Sequence, residues 1–154
     1  MKKQDIRIAI VGSDFQKFVT DNLEKNCIET LLRNGMARDC ITVVRVPGSL
    51  EIPLAALLLA KKKKFDAIIA FGAIHKGKTY HFQQVADECI RGCMNVSHEY
   101  QIPVIYEVLA VYDMKDARER RKAMFFQRVR YLRAKRTAHN RDADILFLHT
   151  LLFI

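Results

Sequence analysis

Four short apolar runs, each followed by a stretch of helical period, leave this 154-residue chain few folds to choose from. The first, IRIAIVG (Ile6 to Gly12), is β-branched and almost continuously apolar, as suits a strand covered on both faces. After it Val19, Leu23, Cys27 and Leu31 recur every four residues, with Ile28 and Leu32 beside them, until Asn34-Gly35 ends the pattern. That spacing predicts an amphipathic helix with a glycine stop. ITVVRV (Ile41 to Val46) predicts a second strand, Pro47-Gly48 a turn, and EIPLAALLLAKKKK a helix whose terminal lysines favour its C-terminal dipole. FDAIIAF predicts a third strand, Tyr80 to Glu99 a third helix, PVIYEVLAV (Pro103 to Val111) a fourth strand and MKDARERRKAM a further helix. Strands alternating with helices require crossovers, hence a parallel sheet with helices on both faces: a three-layer α/β/α fold. With half of its residues hydrophobic, the chain can bury one core, so residues 1–154 are expected to form one domain.

In such sheets ligands bind beyond the carboxyl ends of the strands, where the strand order reverses. The informative segments are therefore SDFQ, PGSLE, GAIHKGKTYH and Tyr106-Glu107. The stretch from Gly72 to Phe82, read as one loop, gathers two histidines, two lysines and a threonine. Gly77-Lys78-Thr79 opens a helix, whose free N–H groups can hold a phosphate with help from Lys76, Lys78 and the Thr79 hydroxyl. The plainer reading is a helix N-cap by Thr79 and two solvated lysines. The glycine spacing is not that of a P-loop. His81, in the first turn of that helix, can exchange protons near neutral pH, with His75 as its rival. Phe15 is either a core plug or a platform for a flat heterocycle. Glu51 either serves the dipole of its own helix or accepts hydrogen bonds from a ligand. Arg120, taken alone, is a solvated helix residue.

The formal charge of +9 favours anionic partners, and +6 of it falls after Val111, where 11 Lys/Arg face 5 Asp/Glu. Without a helix-turn-helix, RRM or aromatic-interleaved signal, nucleic acid is not an expected partner. MKKQDIRIAIVG has too short an apolar run for a signal peptide, and ILFLHTLLFI is too short to span a bilayer, so a soluble, cytoplasmic protein is expected. Cys27, Cys40, Cys89 and Cys93 are then reduced thiols. Cys89 and Cys93 share a helix face near His81, but without a second ligand pair no metal site is expected.

Taken together, SDFQKF, VRVPGSLEIPLAA, FDAIIAFGAIHKGKTYHFQQVADE, IPVIYEVL and DARER resemble the lumazine synthase family, over roughly Ile6 to Arg120. The resemblance implies a flavodoxin-like fold with a four-stranded parallel sheet, homopentamers or multiples of them, and active sites between neighbouring subunits. It implies a transferase, making 6,7-dimethyl-8-ribityllumazine from 5-amino-6-(D-ribitylamino)uracil and 3,4-dihydroxy-2-butanone 4-phosphate in the penultimate step of riboflavin biosynthesis, with no cofactor. By the same resemblance Phe15 stacks on the pyrimidine, Ser49, Leu50 and Glu51 hold the ribityl chain and ring edge, and Ala73 and Ile74 line the heterocycle pocket. Gly77, Lys78, Thr79 and Arg120 contact the phosphate, Tyr106 supplies a pocket aromatic, and His81 shuttles the proton. The alternative is a flavodoxin-like module that binds flavin or nucleotide without catalysis.

Several positions depart from the family pattern. Asp14 replaces a usual arginine, Gln16 an asparagine, Lys76 an arginine, Tyr106 a phenylalanine, and Glu107 a small residue that leaves it to fill pocket space or repel phosphate. Beyond Arg120 the chain reads RKAMFFQRVRYLRAKRTAHNRDADILFLHTLLFI, with Gln127-Arg128-Val129 where relatives carry Asn-Lys-Gly and Arg128 as a stand-in for the lysine. The abrupt switch is read as a shifted frame after about Arg120, with a divergent tail as the alternative.

Overall fold

The computed structural model describes residues 6–120, apart from the side chain of Arg120. It contains β1 (Ile8–Ser13), α1 (Lys17–Arg33), β2 (Ile41–Val46), α2 (Ile52–Lys61), β3 (Ala67–His75), α3 (His81–Tyr100), β4 (Val104–Val111) and α4 (Met114–Arg120). All four strands pair in parallel, in the order β2-β1-β3-β4. This is the flavodoxin-like α/β sheet expected of the sequence.

Alternate residues of the central strands enter two separate cores. Ile8, Ile10, Ile69 and Phe71 pack under Val19, Leu23, Cys27 and Leu31 of α1 and Ala117 of α4. Ala9, Val11, Ile68 and Ala70 pack under Ile52, Ala56 and Leu59 of α2 and Cys89, Cys93 and Val96 of α3. Every residue of β1 is buried, so the continuous apolar run IAIV serves both layers at once. A buried side chain of the size of Leu31 contributes about 1.5–3 kcal/mol by leaving water.

The helix ends follow local chemistry. Gly35, at φ 85°, closes α1 while the Met36 N–H donates to the Leu31 carbonyl, an exit that glycine makes without a Cβ clash. Pro53 sits in the first turn of α2, where its missing N–H costs nothing. Lys61 to Lys64 are all exposed at the end of α2.

Two sequence expectations need correction. β3 runs on through Gly72–His75 rather than ending at Phe71, because β4 continues to pair with it up to His75 opposite Val111. The loop is therefore only Lys76 to Tyr80. Thr79 does not cap α3: the residue before the helix is Tyr80, and no side chain bonds to this helix end. Among the described residues, no helix is long and apolar enough to cross a membrane.

Candidate active site

β1 connects outward to β2 by way of α1 on one face, whereas β3 connects to β4 by way of α3 on the other. The strand order therefore reverses between β1 and β3, and their carboxyl ends flank the crevice where open α/β sheets bind ligands. The two strands stop at different heights. β1 last pairs with β3 at Gly12 opposite Phe71, so Ala73, Ile74 and His75 rise above it, paired with β4 only. Their backbone on the β1 side has no strand partner, which leaves hydrogen-bonding edge facing the crevice.

The loops after β1 and β2 are stitched together. Asp14 N–H donates to the Val46 carbonyl at 2.8 Å, and Phe15 N–H to the Pro47 carbonyl at 3.0 Å. Arg45 clamps the same loop from β2. Its guanidinium donates to the Asp14 carboxylate at 2.8 and 3.0 Å, to the Ser13 carbonyl at 3.2 Å and to Glu24 at 2.7 Å, and it lies 3.1 Å from Asp21. Burial works to lower the Arg45 pKa, but Glu24 and Asp14 together push it up. Held this way, Phe15 keeps 60% of its surface exposed. It is a presented aromatic face and not a core plug.

The turn after β2 presents Ser49, Leu50 and Glu51 in three different ways. Ser49 is buried, with its Oγ over Gly72 of β3, while Leu50 is exposed. The Glu51 carboxylate reaches back to accept from Gly48 N–H at 2.8 Å, so it organises its own turn and keeps further acceptor capacity. A Cβ on Gly72 would stand 2.9 Å from Ser49 Oγ and 3.1 Å from Ser13 Oγ. The end of β1, the turn after β2 and β3 itself thus converge on a point where glycine fits best.

Gly77, Lys78, Thr79 and Tyr80 are exposed, and a Cβ on Gly77 would meet nothing within 4 Å. His81, the first residue of α3, is exposed at the same edge, and His75 is the exposed last residue of β3. Ala73 and Ile74 have buried side chains, so they can offer only backbone. Tyr106 is half-buried on the α3 side of β4, and burial, then the Cys89 thiol, push its pKa up. Arg120 ends α4, but its side chain lies outside the described residues, as do Gln127, Arg128 and Val129.

Glu107 takes neither of its expected roles. It is 3% exposed in the layer under α1, beside Phe71 in register and on the opposite face of the sheet from Tyr106, where its charge helps to raise the Cys27 thiol pKa. Cys89 and Cys93 are buried and hydrogen-bonded to each other; that bond, then burial, pushes the Cys93 thiol up. Among the described residues no group of three or more His, Cys, Asp or Glu is placed to hold a metal ion. The sequence marked the SDFQ segment but gave Ser13 no role of its own, and it gave none to Arg45. The signal for Arg45 was a lone charge inside ITVVRV; for Ser13 it was only its place at the end of β1.

A sequence model of the family described as 6,7-dimethyl-8-ribityllumazine synthase matches residues 5–139. The match spans the sheet, all three crevice loops and α4, and extends past Arg120, where the recognisable motifs stop. On this match and the parallel β2-β1-β3-β4 sheet, the chain belongs to the 6,7-dimethyl-8-ribityllumazine synthase family of transferases.

Proposed function

We propose that this chain, acting as one domain in a cytoplasmic homo-oligomer, condenses 5-amino-6-(D-ribitylamino)uracil with 3,4-dihydroxy-2-butanone 4-phosphate. The product is 6,7-dimethyl-8-ribityllumazine, with one phosphate and two waters released. The observation that carries this reading is the gathering of an exposed aromatic, an unpaired strand edge, an open glycine-bearing loop and an exposed imidazole at one switch point.

Phe15 stacks on the uracil ring, and the backbone of Ala73 and Ile74 meets the ring edge. Ser49, Leu50 and Glu51 receive the ribityl chain, while Tyr106 closes the pocket wall. The 5-amino group attacks the butanone carbonyl, and loss of water gives an imine. Phosphate then leaves towards Gly77, Lys78 and Thr79, where N–H groups and an ammonium stabilise the departing dianion, joined by Arg120. The resulting enol takes up a proton to become a ketone, and attack by the ribitylamino nitrogen with loss of a second water closes the ring. Every step moves a proton, the task of the His81 imidazole. No step needs an electron acceptor.

Exposed Leu50, Leu54 and Leu58, one helical turn apart along α2 and its leading turn, support the oligomer. Such a stripe favours burial against a second copy. Lumazine formation followed by absorbance, for the intact protein and for His81→Ala, tests the assignment. Product from the former and a loss of about 100-fold in the latter is expected. A folded intact protein that retains flavin and yields no lumazine would support the binding-module alternative instead.

A further inference from the structure

We propose that Tyr112, immediately after β4, is a positioning residue that clasps both ends of the phosphate loop. The inference rests on the reading of Gly77 to Thr79 as the phosphate cradle. Lys76 Nζ lies 4.6 Å from the centroid of the Tyr112 ring, over its face. The Phe82 ring lies 6.0 Å from the same ring at an interplanar angle of 44°. Lys76 and Phe82 bracket the loop, one at its entry and one in the first turn of α3, so a single aromatic ring touches both. The backbone adds one tether, Lys76 N–H to the Val111 carbonyl at 2.9 Å.

Little else is seen to hold the loop. Gly77 to Tyr80 are exposed, no side chain caps α3, and the space above Gly77 is open. Tyr112 itself is 71% exposed, so its ring is not there to fill a core. A cradle made of backbone N–H groups binds an anion well only if those groups are already aligned. The ring supplies that alignment by combining a cation–π contact with an aromatic contact. A second consequence concerns charge. With its ammonium over the ring, Lys76 serves the loop's geometry, and Lys78 is left as the loop's ammonium for the phosphate.

The test compares wild type, Tyr112→Ala and Tyr112→Phe by steady-state kinetics and by amide hydrogen exchange of the 76–82 segment. Tyr112→Ala should raise KM for the butanone phosphate about two- to fivefold, leave KM for the pyrimidine unchanged and accelerate exchange within 76–82. Tyr112→Phe, which keeps the ring, should track wild type in both readouts. Unchanged exchange in Tyr112→Ala, or a Tyr112→Phe variant as impaired as Tyr112→Ala, overturns the clasp. If wild type forms no lumazine, the proposed reaction fails, while the exchange comparison still decides the clasp.

Discussion

Gly72 and Ser49 approach so closely that a methyl group on Gly72 would stand 2.9 Å from Ser49 Oγ, with Ser13 Oγ and Val108 Cγ1 each at 3.1 Å. Gly72→Ala must therefore shift the Ser49 hydroxyl and press on Ser13 and Val108. We expect a loss of about 1–3 kcal/mol in urea unfolding and weaker binding of the pyrimidine substrate. Ser49→Ala in the same chain removes the closest atom and should recover part of the stability; independent, additive losses would contradict the crowding.

Gln16 is held at φ 56° just before α1, a conformation that a side chain with a Cβ seldom adopts. Asparagine, the residue usual at this place in the family, tolerates it better. Gln16→Asn should stabilise the protein by about 0.5–1 kcal/mol, read as a rise in thermal midpoint. No rise would mean that the Gln16 side chain compensates its own backbone.

Arg45 stands among Asp14, Asp21 and Glu24, so removing it leaves three carboxylates that Lys17, paired with Asp21 and near Asp14, neutralises only in part. The cluster is only partly buried, which reduces the loss expected for Arg45→Met to about 1–3 kcal/mol. Added salt should narrow the difference from wild type by screening the carboxylates. A loss that salt does not touch would point to packing of the Arg45 stem instead.

Stability should fall at alkaline pH. Burial first, then the nearby carboxylates, push the Cys27 thiol up from its ordinary 9.0, and Cys93 shifts the same way. The fold therefore favours the protonated thiols. Their contribution is fully present below about pH 9 and is lost as the pH rises above it, because the unfolded chain then releases protons that the folded one keeps. The slope expected from Cys27 alone is about 1.4 kcal/mol per pH unit, because Cys89 shifts opposite to Cys93. Urea midpoints between pH 8 and 10.5 check this; a Cys27→Ala variant should show a shallower decline.

The strands were legible because β1 and β3 are buried on both faces and so carry uninterrupted apolar runs. The end of β3 was not, because Gly72 and His75 look like loop residues and only pairing with β4 keeps them extended. Phe15 illustrates the same division: sequence alone left plug and platform open, and its exposure on a loop tied to β2 by backbone bonds excludes the plug. Glu107 was misplaced for a related reason. Alternation along a strand assigns a face only once the register is known, and the register puts it under α1, away from the crevice.

The pairing of β1 with β3 also fixes when the crevice comes into being. Arg7 and Asp66, which exchange a backbone and a side-chain contact at the foot of these strands, lie 59 residues apart in the chain. Closing so long a segment precedes any reward from the contacts it brings, which slows folding. On the ribosome, α1, β2 and α2 all emerge before β3 can dock against β1. Until then the inner edge of β1 is open and Phe15 has no opposing wall, so a nascent chain stalled before β3 is the form most exposed to misassociation.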